Sequence, residues 1–114
     1  MSDCLFCKIV AGEIPCDRVH DDDDFIAFRD INPQAPVHVL VIPRRHVAAL
    51  TDLTDGDVDL VGRLQVVAAS VAAKLGLEES GYRFVINCGR DAAQTVPHLH
   101  LHILGGRPLG WPPG

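Results

Sequence analysis

The sequence of 114 residues has no apolar run approaching the roughly 20 residues needed to span a bilayer. Nor does a basic segment followed by an apolar stretch open it, so a soluble, cytoplasmic protein is expected. Positive charge is scarce as well. Ten Lys and Arg stand against fifteen Asp and Glu, a net charge of −5, which argues against a polynucleotide track along the surface. There is no internal repeat or low-complexity linker. The phosphate-loop pattern G-x-x-x-x-G-K-[ST] is missing too, which excludes a P-loop nucleotidase. Length allows one domain, residues 1–114, and the apolar and charged fractions (47% and 22%) are those of an ordinary globular domain. With a cytoplasmic protein expected, the four cysteines are expected as free thiols or a metal site rather than disulfides. Histidine is the residue in excess. Its six copies equal all Phe, Trp and Tyr together, and three of them fall within five positions.

Local patterns predict a short helix over Cys4–Gly12, closed by Gly12 and stopped by Pro15. Val19-His20 and Phe25–Phe28 flank the acidic turn Asp21–Asp24 as a hairpin. Asp30–Pro36 reads as a proline-punctuated loop. Val37–Ile42 is β-branched and apolar enough for a central strand ended by Pro43. The long helix starts after Thr54, with Asp57 in capping-box position. Val58, Val61, Leu64, Ala68, Val71 and Leu75 follow at helical spacing until Gly76. Tyr82–Asn87 alternates as a strand, Cys88–Val96 is a polar loop, and His98–Leu104 is the last strand. Five strands with local connections, one long helix and one short one predict an α+β domain with a mainly antiparallel sheet.

Most of the chemistry lies in Pro97-His98-Leu99-His100-Leu101-His102-Ile103-Leu104. Strand alternation puts Leu99, Leu101 and Ile103 on one face, against the long helix, and His98, His100 and His102 on the other, about 6.6 Å apart. Two chemistries use such a row. Alternate imidazoles ligate a metal ion, or they act as nucleophile and acid–base groups near neutral pH. The preceding loop tips the balance toward the second. Its small residues and backbone N–H groups, with Gln94 and Thr95, suit phosphate oxygens better than a metal.

The pattern Asn87-x-Gly89-x-x-Ala92-x-Gln94-x-Val96-x-His98-x-His100-x-His102 resembles the signature of the histidine triad superfamily of nucleotide hydrolases and transferases. Asp30–Pro36, Val41–His46, Leu104–Arg107 and the ending Trp111-Pro112-Pro113-Gly114 resemble its Hint branch. The resemblance implies a homodimer whose two five-stranded sheets join into a ten-stranded one, with the tail 105–114 reaching toward the partner. It also implies a purine nucleoside phosphoramidase, which cleaves the P–N bond of nucleoside 5'-phosphoramidates of AMP or GMP type. Its nucleophile would be His100, which forms a covalent nucleotidyl-histidine, while His102 holds a phosphate oxygen. His98 would orient the nucleophile and extend a histidine relay with His46. Thr95 would contact the phosphate or leaving group, Asn87 and Gln94 would position the phosphate, and Asp30 would bind the ribose hydroxyls. Ile14, Phe28 and Ile31 would line the base pocket, and Trp111 would reach the partner's site. The implied chemistry needs no cofactor. A P–N bond exchanged for a phosphoryl-imidazole is close to an even trade, and the protonated neighbour expected beside neutral His100 would stabilise the developing charge.

Some relatives hold zinc between a Cys4-x-x-Cys7 pair and histidines matching His46 and His98, so a structural Cys₂His₂ zinc is expected here. His20 and His38 are expected as surface or packing residues. Ala93 stands where the family often has Gly, a departure that matters if the backbone there needs positive φ. Pro97 suggests that the last strand starts beside it or lies at an edge. Three other functions use the same residues: a nucleotidyl transferase or dinucleoside polyphosphate hydrolase, a non-catalytic nucleotide-binding adaptor, and a histidine metalloenzyme.

Overall fold

The computed structural model describes residues 3–114. Helix α1 (Leu5–Val10) is followed by strands β1 (Arg18–Asp21), β2 (Phe25–Arg29) and β3 (Val37–Pro43). Two 3₁₀ turns, Leu50–Asp52 and Asp55–Asp57, lead into helix α2 (Val58–Lys74), and β4 (Tyr82–Val85) and β5 (Leu101–Gly105) complete the chain. All five strands form one antiparallel sheet in the order β1-β2-β3-β5-β4. Among the described residues no helix is long and apolar enough to cross a membrane.

Alternation divides the sheet into two packed faces. Val39 and Val41 of β3, with Leu99, Leu101 and Ile103, meet Leu64, Ala68, Val71 and Ala72 of α2. Leu40 and Ile42, with Ile26 and Phe28 of β2, meet Phe6 and Ile9 of α1. The Thr54–Asp57 capping box forms, with Asp57 Oδ2 accepting the Thr54 N–H at 2.9 Å. Val58, expected on the buried stripe, is 72% exposed. It lies six residues before Leu64, about 120° around the helix, and so falls off the stripe, which Ala72 joins instead.

The last strand is shorter than expected. β3 pairs with β5 only from Val41 opposite Leu101 onward, so His98 and His100 precede the strand. Pro43 ends β3, and the Leu99 N–H turns to the carbonyl of Val47, 2.6 Å away, in the segment that follows. Pro97 therefore neither begins the strand nor marks an edge, because β5 is interior, between β3 and β4. Facing is unaffected: Leu99 is buried among the α2-side residues while His98 and His100 turn to the other side.

Candidate active site

On the α1 side of the sheet lies a mostly apolar cavity of about 310 Å³. Of the residues assigned by resemblance to the nucleotide site, it gathers Ile14, Phe28, Asp30, Ile31, Thr95, His100 and His102. Asn87 and Gln94 do not line it. The Gln94 side chain holds its own loop together: its amide N–H donates to the carbonyls of Ala48 (2.8 Å) and Val96 (3.0 Å), and its oxygen accepts the Gly89 N–H (3.1 Å). Trp111 is 82% exposed, with the Arg83 guanidinium over its ring. Ala93 takes φ +61°, so this loop does require the left-handed conformation that Gly adopts without strain.

The backbone fixes the protonation pattern of the two histidines in the cavity. His100 Nδ1 donates to the carbonyl of His98 at 2.7 Å, because a carbonyl only accepts. Its Nε2 therefore carries a free lone pair. Burial holds the His100 imidazole below its ordinary range, which favours this neutral form.

His102 is governed by a residue expected to be bland. The Gln34 N–H donates to His38 Nδ1 (3.0 Å), so His38 carries its proton on Nε2 and passes a hydrogen bond to His102 Nδ1 at 2.9 Å. His102 must then hold its own proton on Nε2, and that atom is buried without a partner among the described residues. An orphaned buried donor costs about 1–3 kcal/mol, which an anionic oxygen placed against it would recover. Asp30 Oδ2 lies 3.5 Å from His38 Nε2, and Asp30 Oδ1 accepts the Asn32 N–H at 2.8 Å. Burial first, then the neighbouring His100 and His38, lowers the His102 imidazole to about 4. The cavity thus holds neutral N–H donors, where the sequence suggested a protonated imidazole beside the nucleophile.

His38 was missed because Val37–Ile42 reads as an apolar strand. The signal lay in its alternation: His38 shares a face with Leu40, and Leu40 is directly opposite His102 across the β3–β5 pair.

The other expected relay pair, His98 and His46, meets away from the cavity. His98 Nε2 donates to the Pro43 carbonyl at 2.8 Å, which leaves a lone pair on its Nδ1. That atom lies 3.3 Å from His46 Nδ1, 3.4 Å from Cys4 Sγ and 3.5 Å from Cys7 Sγ. Cys7 Sγ is 3.2 Å from His46 Nδ1. A tetrahedral ion with bonds of about 2.0–2.3 Å sets its ligand atoms about 3.3–3.8 Å apart; the four separations given, 3.2–3.5 Å, lie at the short end of that range, and all four ligand atoms are within 4.8 Å of one another. Burial, then Cys4 beside it, pushes the Cys7 thiol up to about 11. The carbonyl that fixes the His98 ring is the outer support a metal-bound imidazole needs.

The comparisons with known proteins agree with this architecture. Residues 11–109 match the HIT domain family model, so the chain belongs to the HIT domain family. Among its relatives, the purine nucleoside phosphoramidase of Escherichia coli is 46% identical over 106 residues, covering 93% of this chain and 89% of that protein. Among solved structures, a HIT family hydrolase from Legionella pneumophila superposes with a TM-score of 0.96 at 49% identity, covering 98% of this chain and all of that one. A histidine triad nucleotide-binding protein from Candida albicans superposes at 0.82 with 35% identity, covering 96% and 83% of the two chains.

Proposed function

We propose that the protein is a nucleotide-binding hydrolase that cleaves the P–N bond of purine nucleoside 5'-phosphoramidates through a covalent nucleotidyl-histidine. The observation that carries this reading is the pairing of opposite nitrogens in one cavity. His100 Nε2 offers a lone pair, and His102 Nε2 offers an unused proton. A nucleophile beside an unpartnered donor is what attack on a phosphorus with charged oxygens requires.

In this mechanism the purine lies among Ile14, Phe28 and Ile31, and Asp30 accepts from the ribose hydroxyls. His100 Nε2 attacks the α-phosphorus and the P–N bond breaks, the amine leaving with a proton taken from solvent water beside Thr95. Through attack, the His102 N–H holds a phosphate oxygen. The His38 hydrogen bond keeps its proton on that nitrogen. Water then cleaves the phosphoryl-imidazole and frees His100. None of these steps uses a metal. The Cys4, Cys7, His46 and His98 group would hold a structural zinc ion that ties α1 to the sheet, since a closed four-ligand shell leaves no position for substrate.

The same reading includes a homodimer. β4 is one of the two edge strands of the sheet, and the Trp111 tail is held beside it by the hydrogen bond from Arg83 to the Gly110 carbonyl (2.9 Å). Pairing β4 with its copy would make a ten-stranded sheet and bring Trp111 to the partner's site. Gln94 acts here by shaping the phosphate loop.

Adenosine 5'-phosphoramidate supplies the test. Rapid acid quench and mass spectrometry should show one adenylyl group on the peptide that carries His100. Turnover without that adduct, or normal turnover by His100→Ala, would sink the mechanism. Sedimentation at several concentrations tests the dimer.

A further inference from the structure

The thiol cluster and the cavity share one helix and one residue. Cys4 caps α1, and Cys7 follows within its first turn, its N–H donating to Cys4 Sγ at 3.3 Å. Leu5, Phe6 and Ile9 of the same helix line the cavity. The Phe6 ring meets the His100 ring edge-on, with centroids 5.1 Å apart. His98 places its ring in the cluster and its carbonyl under His100 Nδ1. The cluster is also open to small reagents. His46 is exposed, Cys7 is only half-buried, and a depression of about 210 Å³ lined by Asp3, Cys4, His46 and Pro97 reaches it.

We propose that Cys4 and Cys7 form a site of reversible oxidation by hydroperoxides, whose disulfide state loosens the nucleotide cavity. The inference rests on the nucleotide and zinc readings given above. In the metal-bound state both sulfurs are thiolates. One attacks hydrogen peroxide to give Cys–SOH and hydroxide. The other attacks that sulfur, forming the S–S bond and releasing a second hydroxide. Two electrons pass from the sulfurs to the peroxide oxygens, and a cation held there loses two of its four ligands. A helix of six residues has little stability of its own, so α1 without that tether is held only by the Arg18 hydrogen bond to the Ile9 carbonyl (2.9 Å) and by its apolar contacts. Those contacts are the cavity wall.

The experiment uses the full chain, zinc-loaded, in a Cys16→Ser/Cys88→Ser background that serves as its own reference. Hydrogen peroxide is added while free thiols, zinc released to a chromophoric chelator, AMP affinity by calorimetry and circular dichroism are followed. Loss of both thiols should coincide with zinc release and a rise of about five- to tenfold in the AMP dissociation constant. Thiol reductant with fresh zinc should reverse it, while circular dichroism stays that of a folded chain. Adding Cys4→Ser/Cys7→Ser should abolish the response, and if that variant fails to fold, the reduced metal-free chain replaces it and should match the oxidised affinity. Zinc and thiols lost with unchanged affinity would overturn the inference. So would a chain that binds AMP but takes up no zinc, which removes the metal reading alone. A chain that takes up zinc but never binds AMP removes the nucleotide reading.

Discussion

Two groups of histidines occupy the same face of one sheet, and their neighbours give them different chemistry. At the cavity, the Gln34 N–H fixes His38, His38 fixes His102, and the His98 carbonyl fixes His100, so each proton has an assigned nitrogen. In the cluster, His46 and His98 turn Nδ1 atoms toward one another and toward two sulfurs, the donor set of a tetrahedral metal site. The difference teaches that a row of imidazoles carries no fixed role. What each ring's second nitrogen bonds to decides whether the first attacks, donates or ligates.

Substitutions that separate the groups test this most directly. His100→Ala should cost the most, about a thousandfold or more in kcat/KM, with the adenylyl adduct abolished. His102→Ala should cost about a hundredfold, mostly in kcat, since its N–H acts on charge that grows during attack. His38→Ala, which touches His102 from behind, should lower kcat by about ten- to a hundredfold. His46→Ala should leave kcat near its original value and raise KM by up to about tenfold. A large kcat loss there would erase the distinction between the groups.

Acid should act on both groups through stability. The unfolded chain protonates its imidazoles near 6.5, whereas burial holds His38, His98, His100 and His102 below that value in the folded state. The native state is therefore favoured above about pH 6.5 and loses that advantage as pH falls toward 4. His102 alone, lowered to about 4, contributes about 3 kcal/mol. Denaturant midpoints between pH 8 and 4 would show the decline, and His102→Gln should flatten it. The smallest effect is expected from Ala93→Gly. Relief of the left-handed strain, offset by glycine's greater freedom when unfolded, should leave a gain of about 0.5 kcal/mol in thermal unfolding.

Much of this was legible because alternation is a local property. The histidine row, its aliphatic backing, the capping box and the β-branched centre of β3 each declare themselves within a few residues. The positive φ at Ala93 was legible through a departure from glycine. What escaped depends on pairing between distant segments. β5 starts at Leu101 because Leu99 bonds to Val47, and no feature of the strand's own sequence announces that contact. His38 reads as packing until β3 and β5 are aligned. Gln94, read as a phosphate contact, turns out to spend its side chain on its own loop.

Ile31 stands at the rim of the cavity with its side chain fully exposed. An apolar group left in water beside an apolar cavity has a thermodynamic signature once something covers it. A bound nucleotide would strip water from Ile31 and from the walls together, so the heat capacity should drop on binding. The binding enthalpy would then grow more favourable as temperature rises, and Ile31→Ser would make that slope shallower.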